Sequence, residues 1–176
     1  MKKEFVRKKA IKRNEAKREK SRFSRVLFSS ASELWETPQD LFDKLNAEFG
    51  FSLDVCAIAA NAKCENYFTP EMDGLKQDWS ENVAYMNCPY SRTNTPKWVK
   101  KAFEESLKGA TVVALLPSRT GTKWFHSYVV DKADDIRYLP GRLKFGNSKN
   151  SAPFDSIIVV WKGKKVQEEI IPNDAA

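Results

Sequence analysis

Four consecutive residues, Asn87-Cys88-Pro89-Tyr90, hold the clearest chemical potential in the sequence. They follow Val83-Ala-Tyr-Met86, a short apolar run of the kind that fills a buried parallel strand, and Asn87 with Pro89 ends that run abruptly. In open α/β sheets the carboxyl ends of strands are where ligands bind. Asn87 and Tyr90 would therefore project into a crevice, with Pro89 fixing the backbone between them. A second candidate is Asp54, near the carboxyl end of the apolar run Phe51-Ser-Leu-Asp-Val-Cys-Ala57. A carboxylate at that position either closes ordinary loop hydrogen bonds or receives the amino group or ribose hydroxyls of a nucleoside cofactor. Other chemistries find little support. Cys56, Cys64 and Cys88 are odd in number and form no Cys-x-x-Cys pair, and His126 is the sole histidine. A disulfide framework and a zinc site are both disfavoured, and a Ser-His or Cys-His hydrolase could be built only around His126, which has no evident partner.

The elements that must position these residues can be read from spacing. Thr37 fits a helix cap, Pro38 the first helical position and Asp40 the third residue of a capping box. Leu41, Phe42, Leu45 and Phe49 then form one apolar stripe that Gly50 ends. Residues 51–57 predict the first strand and 83–86 the second. After a polar loop at 91–94, Thr95 caps and Pro96 starts a helix that turns Trp98, Val99, Ala102, Phe103 and Leu107 inward, closed by Gly109. Ala110-Thr-Val-Val-Ala-Leu-Leu-Pro117 is almost unbroken apolar sequence, a strand buried on both faces. Strand, helix, strand at this spacing implies a parallel sheet. A loop containing Arg119, a helix through Trp124 and Phe125, and a strand over residues 135–139 follow. Residues 141–145 and 155–161 predict an antiparallel hairpin around a loop of Gly, Asn and Ser.

At 176 residues, one domain with a real core is the expectation. No apolar run approaches the length of a membrane span, and the charged amino terminus has no apolar stretch behind it, so the expected compartment is the cytoplasm. Charge is distributed unevenly. Residues 1–26 contain 12 Lys and Arg against 3 Asp and Glu, a net +9, whereas the whole chain carries +7. Such a block cannot bury a core. Residues 1–28 are therefore expected to be a disordered basic arm, 29–165 the folded domain and 166–176 a frayed tail. The arm is either a solubilising tail or, as its share of the charge favours, a phosphate-neutralising segment in which Lys8, Lys9 and Arg13 take part.

Asn87-Cys88-Pro89-Tyr90 resembles the Asn-Pro-Pro-Tyr signature of amino-group methyltransferases that use S-adenosylmethionine. The whole run from Trp35 to Trp161 resembles the phage-type DNA N-6-adenine methyltransferases. The matching pieces are Trp35 with Thr37-Pro38, Leu53-Asp54-Val55-Cys56-Ala57, Asn61-Ala62-Lys63, Leu75 with Trp79, and the Asn87 to Tyr90 motif. Leu115-Leu116-Pro117, Trp124-Phe125-His126, and Gly141-Arg142 with Phe145 complete them. The resemblance implies a single-domain α/β, Rossmann-like methyltransferase sheet, mostly parallel with a C-terminal antiparallel hairpin and helices on both faces. It implies S-adenosylmethionine as cofactor, with Trp35, Thr37, Pro38, Asp54, Cys56, Ala57 and Asn87 around it, no metal, and Asn87 to Tyr90 as the catalytic motif. It also implies double-stranded DNA with an adenine target as partner, a monomer as the default, and Tyr90, Arg119 and Arg142 on the nucleic acid. In that chemistry the Asn87 side-chain oxygen and the Cys88 carbonyl accept the two protons of the adenine amine, while Tyr90 stacks on a base drawn out of the helix. Two departures stand out: Ala57-Ile-Ala-Ala60 occupies the place of a glycine-rich cofactor loop, and Cys88 replaces the first proline. Alternatives are an RNA or protein-glutamine amino-group methyltransferase, and a non-catalytic nucleic-acid-binding protein.

Overall fold

The computed structural model describes residues 35–146, 148 and 150–163. The basic block 1–28 with Lys8, Lys9 and Arg13, and the tail 166–176, lie outside the described residues. The described chain forms one five-stranded sheet with three helices. In chain order these are α1 (Gln39–Phe49), β1 (Leu53–Asp54), β2 (Val83–Met86), α2 (Thr95–Leu107), β3 (Thr111–Pro117), α3 (Lys123–Tyr128), β4 (Asp135–Tyr138) and β5 (Ser156–Trp161). The spatial order is β1-β2-β3-β5-β4. β1, β2 and β3 pair in parallel, and β5 pairs antiparallel with both β3 and β4. Four strands thus run one way, with the single reversed strand in their midst.

The hydrophobic pattern explains which strands are central. Val112 to Leu116 of β3 and Ile157 to Val160 of β5 are fully buried, and β5 stays apolar along its whole length because it is covered on both faces and paired on both edges. The predicted hairpin is corrected in its partner: β5 pairs with Asp135–Tyr138, not with residues 141–145. The physical cause is Gly141, whose φ of +72° turns the chain out of the extended region just beyond β4. Residues 141–145 become loop, tied by Ala152 N–H to the Leu143 carbonyl (2.8 Å), and Phe145 is buried there.

The first strand is also shorter than residues 51–57. Val55 N–H still reaches the Tyr85 carbonyl (3.1 Å), but the Asp54 carboxylate then takes Cys56 N–H (3.2 Å) and bends the backbone away. Outside β1, residues 66–68 run alongside it: Asp54 N–H donates to Asn66 O and Phe68 N–H to Asp54 O, both at 2.9 Å.

Side-chain alternation places helices on both faces. Tyr85 shares a face with Val113 and with Arg137 of β4; Phe42 of α1 meets the Tyr85 ring edge-on at 5.1 Å, and Glu48 of α1 holds Arg137. Trp161 lies on the opposite face and donates its indole N–H to Tyr128 O of α3 (2.8 Å), while α3 packs on α2 through Tyr128 and Phe103. Leu107, expected to face inward from α2, is instead 43% exposed, because the buried stripe of the last turn runs through Glu105 and Ser106, in line with Trp98, Val99 and Ala102. No helix among the described residues is long and apolar enough to cross a membrane.

Candidate active site

A cavity of about 500 Å³ opens at the carboxyl ends of β1 and β2. This is the size range of small-molecule and cofactor sites. Its floor is made by Asp54 to Ala57, where the chain leaves β1, and by Asn87 to Pro89, where it leaves β2. Of the residues assigned to a cofactor from sequence, Trp35, Thr37, Asp54, Cys56, Ala57 and Asn87 line the cavity, and Pro38 does not. Of the four-residue motif, Asn87, Cys88 and Pro89 line it, while Tyr90 lies behind them. Arg119 and Arg142 are exposed on loops that follow β3 and β4, at the same edge of the sheet but outside the cavity; Arg142 faces Asp155 at 3.5 Å. His126 is exposed on α3.

Asp54 is 3% exposed. Burial pushes its pKa above the ordinary carboxylate value. The Lys63 and Cys56 backbone N–H groups, at 3.1 and 3.2 Å, and the Lys63 charge oppose that push without cancelling it. Each carboxylate oxygen accepts one of these bonds and so keeps a lone pair for another donor. A buried acid in this state gains from hydroxyl donors brought by a ligand, and the two hydroxyls of a ribose fit that need.

Asn87 is held on three sides. Its Nδ2 donates to the Trp35 carbonyl (2.5 Å) and to Thr37 Oγ1 (2.9 Å), and its Oδ1 accepts from the Tyr90 hydroxyl (2.8 Å). The same Tyr90 hydroxyl reaches the Leu115 carbonyl at 2.9 Å, so its one proton has two acceptors. The Tyr90 ring is 6% exposed, set edge-on to Phe154 (5.6 Å) and Phe145 (6.3 Å). Its faces are therefore occupied by protein in this structure. The stacking expected of Tyr90 has no open face here, and its visible contact is with Asn87. Thr37 is likewise found elsewhere than expected. Pro38 stands at the cap position of α1, which has no side-chain cap bond, and the Thr37 hydroxyl instead pairs with the Tyr85 hydroxyl at 2.5 Å. The cysteines are poor nucleophiles: burial raises the Cys88 thiol to about 12 and the half-buried Cys64 thiol to about 11, and also raises Cys56. Among the described residues no cluster of His, Cys, Asp or Glu is arranged to hold a metal.

Several residues of the site carried little signal in the sequence. Tyr85 reads as strand filler, yet a fully buried tyrosine must find a partner for its hydroxyl, and that rule points toward a polar neighbour. Gly74 sits in a segment of mixed pattern. A Cβ there would lie 2.3 Å from the Val55 carbonyl and 3.0 Å from the Trp98 ring, so only glycine lets this wall approach the end of β1. Lys97, exposed on the first turn of α2, also lines the cavity.

The family model described as DNA N-6-adenine-methyltransferase (Dam) matches residues 25–173. The chain belongs to that family. It is similar to the DNA N-6-adenine-methyltransferase of Haemophilus phage HP1 (strain HP1c1), 35% identical over 129 residues that make up 72% of this chain and 73% of the relative. It is also similar to the DNA N-6-adenine-methyltransferase of Escherichia phage T1, 35% identical over 95 residues, 53% of this chain and 39% of that longer protein. The family match runs through both halves of the cavity. Family membership thus falls on the chain segment that builds the site.

Proposed function

We propose that this protein transfers a methyl group from S-adenosylmethionine to the exocyclic amino nitrogen of adenine in DNA, and that the sheet is the Rossmann-like sheet of such methyltransferases. The observation that carries the reading is the cavity that joins a buried acid at the end of β1 to the Asn87 motif at the end of β2, in a chain of this family. Asp54 would hold the ribose hydroxyls of the cofactor, with Trp35, Thr37, Cys56 and Ala57 as walls. When bound, S-adenosylmethionine supplies a sulfonium-activated methyl group.

The chain's own contribution is to make a poor nucleophile react. The lone pair of the adenine amine is shared with the ring. Acceptors aimed at its two protons favour the geometry in which that lone pair is released, so they stabilise the transition state more than the ground state. Asn87 Oδ1 has a second lone pair beyond the one given to Tyr90, and the Cys88 carbonyl is the other acceptor in the motif. Pro89 fixes the backbone between them and Tyr90. Because the Tyr90 hydroxyl can instead direct its hydrogen bond to Leu115 O, Asn87 Oδ1 can be released fully to the amine. As the nitrogen–carbon bond forms, the carbon–sulfur bond breaks. The methylated nitrogen becomes strongly acidic and loses its extra proton to water, since neither an amide nor a backbone carbonyl is a base. Access to the target requires the base to leave the helix. Arg119 and Arg142 and the basic block containing Lys8, Lys9 and Arg13 would neutralise phosphates around it.

The test is methyl transfer from labelled S-adenosylmethionine to unmethylated DNA, with the product identified as a nucleoside. Asn87→Ala is expected to lower turnover by about a hundredfold or more, the effect of removing one preorganised hydrogen-bonding group at a reacting centre. Asp54→Ala should weaken cofactor binding directly. Wild-type turnover in a folded Asn87→Ala protein would overturn the role given to the motif. Labelled RNA or protein with unlabelled DNA would redirect the substrate assignment.

A further inference from the structure

We infer that Thr37 and Tyr85 are positioning residues that set which end of the Asn87 amide faces the reacting amine. This rests on the proposed role of Asn87 and adds the device that makes the role possible. An amide is nearly symmetric in shape, and a half-turn exchanges its oxygen for an NH2 group. Turned the wrong way, Asn87 would present donors to an amine that needs acceptors, and the same side chain would oppose the reaction. Two neighbours fix the correct orientation. The Trp35 carbonyl, 2.5 Å from Asn87, can only accept and therefore demands the nitrogen. Thr37 Oγ1, 2.9 Å from the same nitrogen, could by itself either accept or donate, because a hydroxyl offers both.

Tyr85 offers the Thr37 proton an acceptor away from Asn87. Its hydroxyl lies 2.5 Å from Thr37 Oγ1, and both residues are nearly fully buried, at 1% and 3% exposure. With the amide nitrogen held by the Trp35 carbonyl, Thr37 accepts from it and turns its own proton to the Tyr85 oxygen, an arrangement in which all three groups are paired. Burial raises the Tyr85 pKa far above its ordinary value, so the hydroxyl stays neutral and the arrangement does not switch with pH. The segment that brings Trp35 and Thr37 to Asn87 is itself anchored, by Gly146 N–H on the Glu36 carbonyl (2.8 Å) and by the Trp35 ring edge-on to Phe145 and Phe154. The amide is thus oriented before substrate arrives, when no reorganisation is left to slow the reaction.

The experiment compares Thr37→Val, Thr37→Ser and Tyr85→Phe with the wild type by single-turnover methyl transfer at saturating S-adenosylmethionine. Cofactor affinity and melting temperature are measured on each. Thr37→Val keeps shape but removes the acceptor, and is expected to slow transfer about tenfold or more. Thr37→Ser restores the hydroxyl and should return the rate to within about threefold of wild type. Tyr85→Phe should fall between them, with cofactor affinity little changed. Thr37→Val transferring at the wild-type rate, or Thr37→Ser as slow as Thr37→Val, overturns the orienting role and leaves only packing. Asn87→Ala, run beside them, separates the two claims: if it too transfers at the wild-type rate, the reading of Asn87 fails first.

Discussion

Asn87 has three polar partners, and what they permit differs from what the motif by itself suggests. As the proposed acceptor it needs one oxygen toward the amine, and an aspartate would supply that oxygen as well. The Trp35 carbonyl lies 2.5 Å from the side-chain nitrogen, however, and an ionised carboxylate would set oxygen against oxygen there. Only the protonated acid can donate to that carbonyl. Asn87→Asp is therefore expected to transfer methyl far more slowly than wild type while the acid is ionised and to recover relative to wild type as falling pH protonates it; a pH series of single-turnover rates on both proteins checks it. Stretches 53–57 and 87–90 were legible from sequence because a short apolar run ended by polar residues marks a strand's carboxyl edge. The bonding of Thr37, Tyr85 and Tyr90 was not. Thr37-Pro38 satisfies the local pattern of a helix start so well that nothing local announces a tertiary use of the hydroxyl, and the partner that claims it is 48 residues away.

At the scale of elements, α2 does more than connect two strands. Its Glu105 is fully buried and accepts from Trp79 N–H (2.8 Å), Lys101 Nζ (2.7 Å) and Lys108 Nζ (2.8 Å). Trp79 in turn donates its indole N–H to Gly74 O and stacks on Trp98, so this carboxylate secures the segment that forms one wall of the cavity. Burial by itself would raise the Glu105 pKa, but the two lysines and the Trp79 N–H outweigh it and the net shift is downward. A folded-state value below the ordinary one of 4.5 means that the stabilisation is fully present above that pH and is lost as pH falls through the lower, folded value. Glu105→Gln should therefore lower the melting temperature at pH 7, with the gap to wild type narrowing below about pH 4.5; a gap unchanged at pH 3 would show that charge is not the cause. In the sequence, Glu105 looks like one more charged residue on a helix, its lysine neighbours at three and four residues suggesting a solvated face. Glu105 in fact stands on the buried stripe of Trp98 and Ala102, and its bond from Trp79 N–H, 26 residues away, is what spacing along the helix could not supply. Reading strands singly also misassigned the partner of β5: its apolar run identified the strand, but pairing was settled by the turn at Gly141, which leaves residues 141–145 as loop and gives the edge to Asp135–Tyr138.

For the molecule as a whole, the charge arithmetic leaves the chain beyond residue 26 slightly acidic, with all of the net positive charge in the block before it. If that block binds DNA phosphates as proposed, deleting residues 1–26 should leave the melting temperature unchanged and weaken DNA binding. The slope of log affinity against log salt should fall by about 0.9 for each phosphate that the shortened protein no longer neutralises. Titrations at four or five salt concentrations read this directly, and an unchanged slope would exclude the arm. The placement of β5 has a consequence for how the molecule comes into being. This interior strand of the sheet is the last of the five in the chain, so until residue 161 has been synthesised, β3 and β4 stand apart with unpaired edges that β5 bridges in the finished sheet. A nascent chain that has paired β1, β2 and β3 must carry an unfilled slot from the completion of β4 at Tyr138 until β5 has been made. Any other extended apolar segment that entered that slot first would trap it.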